Sequence, residues 1–233
     1  MVNIEKYGNF KPIGKQKRKK QIILCHTSRE VGEYLVSLKF RYNSKFDKIP
    51  NYIVTREGNI MQLLPDQAYT NYFADEVINK NSIIISLENL GWLEKKPLSN
   101  YYINWKGSIY NQQVYEKKWE NLGWLEKKPL SNYYINWKGS IYNQQVYEKK
   151  WRDFFFWQPY TPEQVKSTAD LCNHLTETLQ IDKTCIGHNT KVDGMKNFEG
   201  ISSRSNYDTS FTDLNPSFNF DTFIKFLENE QFA

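Results

Sequence analysis

Apolar and polar positions along this chain follow two periods, and the period assigns most of its elements. Ile22-Ile23-Leu24-Cys25 is a short apolar run of β-forming type. A period of two puts Ile22, Leu24 and His26 on one face of that strand, with Ile23 and Cys25 on the other. His26 then stands at the strand's carboxyl end, the edge where ligands and catalytic groups gather in an open α/β sheet. Behind it, Val31, Tyr34, Leu35 and Leu38 recur at helical spacing, with Ser28 as the expected cap. Tyr52–Thr55 and Ile60–Pro65 flank a glycine-bearing turn and predict a hairpin. Ser82–Leu87 is almost wholly apolar, which predicts a central strand, and it delivers Glu88 to its tip.

The second half repeats the alternation. Thr161-Pro162-Glu163-Gln164 has a threonine to cap, a proline for the first helical position and a glutamine to close a capping box. The helix it opens should run to about Gln180, with Val165, Ala169, Cys172, Leu175 and Leu179 as its buried stripe and His174 just beside it. Thr184-Cys185-Ile186-Gly187 is a short run ending in His188, the arrangement already seen at His26. Asn189–Thr212 is polar and too long to be a mere connector, so it is expected to shape a site. Phe220, Phe223, Ile224 and Leu227 mark a closing helix capped by Asn219 or Asp221.

One segment breaks the pattern. Residues 88–119 recur without a change as residues 120–151, a unit rich in Trp, Tyr, Asn and Lys. Repeat architectures drift at exposed positions and need three or more units to share a core. An exact pair is therefore read as a tandem duplication inside one domain spanning residues 1–233. Aromatic residues in such a segment either stack on sugar rings or pack an irregular loop, and packing is the commoner use. Glu120 duplicates Glu88, but no apolar strand precedes it, so it is not assigned a catalytic role.

Composition narrows the class. Of 233 residues, 39% are hydrophobic and 24% charged, which suits a globular domain. No stretch approaches a membrane span, and the amino terminus has no apolar signal core, so the expectation is a soluble protein, cytoplasmic in the cell that makes it. Three cysteines, Cys25, Cys172 and Cys185, sit in apolar patterns and read as free thiols. The net charge of +5 is concentrated in Lys15–Lys20, read as a solvated run. No nucleic-acid motif accompanies it, and no nucleic-acid partner is expected.

Only three histidines exist, and two of them, His26 and His188, end strand-like runs far apart in sequence. That is the pattern of a metal site assembled from separate strands.

Taken in order, several pieces resemble the type 2 zinc-dependent N-acetylmuramoyl-L-alanine amidases, whose fold is shared with peptidoglycan recognition proteins. They are Ile22–Thr27, the hairpin Tyr52–Pro65, Ser82–Asn89, Tyr160–Gln164, Ile186–His188 and Thr212–Phe218. The resemblance implies an α/β fold, a mixed central β-sheet flanked by helices. It implies Zn2+ held by His26, His188 and Asp213, with Asp208 and Asp193 as alternatives for the third ligand. It further implies Glu88 as the catalytic carboxylate. Such a donor set leaves a fourth position for water, whose pKa zinc lowers to roughly 7. Glu88 would take that water's proton and return it to the departing amine.

The implied activity is hydrolysis of the amide between N-acetylmuramic acid and L-alanine in peptidoglycan. The setting would be a phage endolysin, a virion-associated enzyme or a recycling amidase. The rival from another class is a muropeptide-binding module of the same fold that does not cut. A nucleophilic Cys25 is disfavoured because it faces away from His26. One departure stands out: many members carry a lysine two residues before the third ligand, where this chain has Phe211. Arg204 or Lys191 could supply that charge. Oligomeric state is not readable from these residues.

Overall fold

A computed structural model describes residues 2–43, 48–96, 101–104, 109–111, 125–128, 133–139, 141–142 and 144–228. The chain forms two compact units, Met1–Trp92 with Gln145–Ala233, and Leu93–Gln144. In chain order the first part carries β1 (Ile4–Lys6), β2 (Gly14–Lys15), β3 (Gln21–His26), α1 (Val31–Asn43), β4 (Tyr52–Val54), β5 (Ile60–Gln62), β6 (Ala68–Tyr69), α2 (Glu76–Asn81) and β7 (Ser82–Leu87). The repeat region carries β8 (Trp92–Lys96), β9 (Tyr101–Asn104), β10 (Ile109–Asn111), β11 (Leu125–Lys128), β12 (Tyr133–Asn136), β13 (Ile141–Tyr142) and β14 (Tyr147–Trp151). The chain closes with β15 (Phe154–Trp157), α3 (Pro162–Leu179), β16 (Gly200–Ser203) and α4 (Phe220–Leu227).

A six-stranded mixed sheet, in the order β1-β5-β4-β7-β3-β16, organises the first unit. The apolar runs fall where their burial demands. Every residue of β3 and β7 is buried, and the two pair in parallel from Gln21 opposite Ser82 to His26 opposite Leu87. Strand alternation sends Ile22, Leu24, Ile83 and Ile85 to one face, against Val165, Ala169, Cys172 and Leu175 of α3 and Phe223 and Leu227 of α4. Ile23, Cys25 and Ile84 face the other way, against Tyr72, Phe73 and Ile78. Tyr34, Leu35 and Leu38 of α1 pack with Ile53, Leu63 and Leu64. Helices on both faces thus satisfy a sheet that is apolar on both.

The helix ends depart from expectation in instructive ways. Thr161 caps α3 as its sequence predicts, its hydroxyl accepting the Gln164 N–H at 3.1 Å. Gln164 does not close the box: its Nε2 donates to the carbonyls of Val54 and Glu88, each at 3.0 Å. Ser28 is not the cap of α1. It sits at φ 55°, with its N–H and hydroxyl both turned to His26. The Val31 N–H instead donates to Glu88 Oε1 at 2.6 Å. Asn219 caps α4 through the Thr222 N–H.

Two further readings are corrected. Thr184–Gly187 is no strand; Cys185 makes a single bridge to Ile201, and His188 lies exposed beyond it. Asp182 is the local cause, because its Oδ1 accepts both the N–H and the hydroxyl of Thr184 at 2.7 Å and turns the chain there. The basic run is not all solvated either. Lys19 is buried, its ammonium donating to the carbonyls of Ala68 at 3.0 Å and Lys80 at 2.9 Å. Cys25 and Cys172 are buried free thiols and Cys185 is half-buried. Among the described residues no helix is long and apolar enough to cross a membrane.

In the second unit β12 pairs antiparallel with β8 and with β13, and β9 pairs antiparallel with β10 and with β11. The first unit keeps Glu88–Trp92 from one copy of the repeat and Gln145–Trp151 from the other. Glu120 lies outside the described residues.

Candidate active site

Parallel pairing of β3 with β7 brings His26 and Glu88 to the same end of the sheet, because Glu88 follows Leu87, the partner of His26. β16 runs parallel to β3 on its other side and leads directly into Arg204. The carboxyl ends of three neighbouring strands therefore present an imidazole, a carboxylate and a guanidinium.

His26 is 5% exposed and held at both ring nitrogens. Nδ1 accepts the Ser28 N–H at 3.1 Å, which leaves Nε2–H to donate to the Thr212 carbonyl at 3.3 Å. Burial lowers its pKa below the ordinary imidazole range, with Asp213 working against that shift and Arg204 adding to it. Only glycine fits beside the ring: a Cβ at Gly91, which has φ 81°, would lie 3.0 Å from His26 Cε1.

Asp213 is fully buried and tied on both oxygens. Oδ1 accepts Arg204 Nε at 3.1 Å, and Oδ2 takes Arg204 Nη2 at 2.8 Å and the His26 backbone N–H at 3.1 Å. The guanidinium lies over the Phe211 ring at 4.4 Å and the Tyr72 ring at 5.5 Å. Although burial disfavours its charge, Asp213 and the neighbouring Tyr72 and Cys25 outweigh that, so the pKa of Arg204 rises. Phe211, the departure noted in the sequence, is thus the platform for a cation. Lys191 is exposed.

Glu88 is 7% exposed, and each carboxylate oxygen receives a backbone N–H: Val31 at 2.6 Å and Arg56 at 3.1 Å. His188 is exposed, with Nδ1 facing the Thr190 hydroxyl at 2.8 Å and its carbonyl accepting Asn206 Nδ2 at 2.9 Å. Asp193 and Asp208, the alternative third ligands, are exposed.

The fold therefore brings His26, Asp213 and Arg204 into contact and sets Glu88 at the adjacent strand tip. Two imidazoles and a carboxylate suit zinc by donor type. Their arrangement does not fit the ion, because both nitrogens of His26 and both oxygens of Asp213 already have protein partners. Among the described residues no group of three or more His, Cys, Asp or Glu side chains is placed to hold a metal.

Several site residues carried no signal in the sequence. Asn89, Gln158 and Asn215 are buried polar residues that lace the site's edge together. Asn89 Oδ1 accepts the Gly91 N–H at 2.8 Å and Asn215 Nδ2 at 3.1 Å, and Asn89 Nδ2 donates to the Gln158 carbonyl at 3.0 Å. At the rim, Trp92 stacks on Phe154 at 4.7 Å, and Arg152 lies 4.4 Å over Trp151 while donating to the Thr209 carbonyl. Isolated polar residues between apolar ones have no period, so only three-dimensional placement reveals them.

These features define an α/β protein whose site lies where the parallel strands of a mixed sheet end. Residues 15–200 match the model of the N-acetylmuramoyl-L-alanine amidase family, and the chain belongs to that family. The match takes in His26, Glu88 and His188 and stops short of Asp213. The fold is similar to that of the N-acetylmuramoyl-L-alanine amidase LysC from Clostridium intestinale URNW, with a TM-score of 0.51 at 10% identity, covering 99% of this chain and 100% of that one. The endolysin amidase LysCS from the same organism matches with a TM-score of 0.50 at 10% identity, covering 99% and 98%. No curated protein sequence matches the chain.

Proposed function

We propose that this chain is a peptidoglycan hydrolase that cleaves the amide between N-acetylmuramic acid and L-alanine. The observation that carries the reading is a family match spanning the neighbouring strand ends that carry His26 and Glu88. Amide hydrolysis needs a water relieved of a proton, a donor for the departing amine and a countercharge for the tetrahedral oxyanion. Glu88, oriented by two backbone amides, is the proton carrier in this proposal. Arg204 keeps a positive charge beside the site at any pH of interest. Zn2+ on His26, His188 and Asp213 belongs to the proposal through the family resemblance alone, and binding it would require His26 to give up a ring-nitrogen partner and Asp213 to open its pairing with Arg204. A lytic role on the cell wall, of the endolysin kind, is proposed on the same footing.

A non-catalytic muropeptide-binding role is the second reading, favoured by one observation: the expected ligand atoms are already engaged by the protein. One experiment separates the two. Purified muropeptides are incubated with the protein, with and without a chelator, and both binding and released stem peptide are measured. Release of stem peptide is the expected result, and the chelator arm reads whether a metal takes part in it; binding without release would leave the second reading standing.

A further inference from the structure

Each copy of the repeat pairs two strands of its own, β9 with β10 and β12 with β13, but the strand on the other side of each pair comes from the other copy. β8 of the first copy takes β12 of the second as its partner, Leu93 opposite Asn136 and Lys96 opposite Tyr133. β11 of the second copy takes β9 of the first, Leu125 opposite Asn104 and Lys128 opposite Tyr101. Leu125 and Lys128 are the repeat equivalents of Leu93 and Lys96, as Asn136 and Tyr133 are of Asn104 and Tyr101. The two ladders therefore share one register. The neighbouring ladders agree: Ile109 lies opposite Ile103, and Ile141 opposite Ile135.

Register is ordinarily fixed by the side-chain pattern and by the turn that joins the strands. Here both copies offer the same pattern, so no cross-strand contact tells a strand which copy its partner belongs to. The chain joins β8 to β12 through residues 97–132, whereas β9, an equal partner, follows β8 after residues 97–100. Each doubling of a flexible loop costs only about 0.6 kcal/mol. Neither the side-chain pattern nor the shorter connection therefore commits β8 to one of these partners.

We propose that the duplicated segment is a strand-exchange element and that the partner it fits is a second copy of this chain, whose β12 pairs with β8 in the register already used within one chain. Swapping an identical element between protomers is a low-cost route to a dimer, and an exact duplication supplies that element twice. The intrachain strand competes at an effective concentration on the order of millimolar. Exchange therefore grows with protein concentration and reverses on dilution.

Glu94 and Ile135 are opposite each other in the ladder and provide the test. Full-length chains carrying Glu94→Cys or Ile135→Cys are co-expressed and brought to a series of concentrations. They are then oxidised, and the linked peptides are mapped to distinguish the new bond from the native thiols. A single chain with both substitutions is the reference. The reference is expected to form the 94–135 bond within one chain. The mixture is expected to form the same bond between chains in a yield that rises with concentration, and unsubstituted protein should shift from monomer towards dimer in light scattering over the same range. A reference that links while the mixture never does would overturn the proposal. So would a reference that fails to link, or a mixture that links only like positions.

Discussion

The guanidinium of Arg204 is enclosed by an acid and two rings, and the acid is fully buried and paired with it through both oxygens. Removing one member of a buried ion pair strands the other, at a typical cost of 3–5 kcal/mol, on the order of half a small domain's stability. Arg204→Met should lose about that much, read as a lower denaturant midpoint at unchanged slope. A midpoint equal to the parent's would mean that Asp213 finds water or another partner. Lys19 gives a prediction in pH. Burial lowers its pKa from 10.5 to about 8, with Asp66 opposing. Between those values the unfolded chain binds more protons at this site than the folded one, so the folded state gains stability as pH rises. Below pH 8 both states are protonated and the contribution is flat. The stability difference between the parent and Lys19→Met should therefore move in the parent's favour from about pH 8 to 10.5. Buried thiols and tyrosines, present in both proteins, cancel in that difference. A difference that stays constant across the window would show that Lys19 is solvated.

At the scale of elements, Glu88 joins two strands' ends to a helix. It takes over the cap of α1 that the sequence assigns to Ser28, while Ser28 is drawn off to orient His26. Glu88→Gln replaces one acceptor by an amide donor facing a backbone N–H, which should cost about 1–3 kcal/mol. Amide exchange at Val31 or Arg56 should quicken, and in the amidase reading turnover should vanish while muropeptide binding persists. Full turnover in the variant would remove Glu88 from the chemistry and leave it as a cap. The same residue shows what a sequence can and cannot carry. Strands β3, β4, β5 and β7 and helices α1, α3 and α4 are legible because burial imposes a period. His26 and Glu88 are legible because each ends such a run. The partner of Asp213 is not, since Arg204 stands in a polar stretch with no period and is defined only by what folds over it. His188 misleads for the converse reason: a short β-branched run looks like a strand, but Asp182 competes for its backbone.

For the molecule as a whole, the duplication sets a problem of insertion, and the division into units answers it. The first unit ends at Trp92 and resumes at Gln145, so it holds the head of one copy and the tail of the other, together the two ends of a single repeat. Because the copies are identical, removing 88–119, 93–124 or 120–151 yields one and the same shorter chain. Viewed as removal of 93–124, nothing leaves the first unit, and Leu125–Lys128 joins Trp92 in place of Leu93–Lys96. Those strands already pair in the same register, Lys128 with Tyr101 and Lys96 with Tyr133, so the ladder to β12 is rebuilt with its own hydrogen bonds. The shorter chain should fold cooperatively, with a midpoint close to the parent's and the same behaviour towards muropeptides, since His26, Glu88, Arg204 and Asp213 all lie in the first unit. With one copy of each strand it should also lose any concentration-dependent dimer that the parent forms through exchange. A deletion product that is unfolded by circular dichroism would show that the second copy supports the core. A folded product that still dimerises as the parent does would show that the duplication is not what drives the dimer.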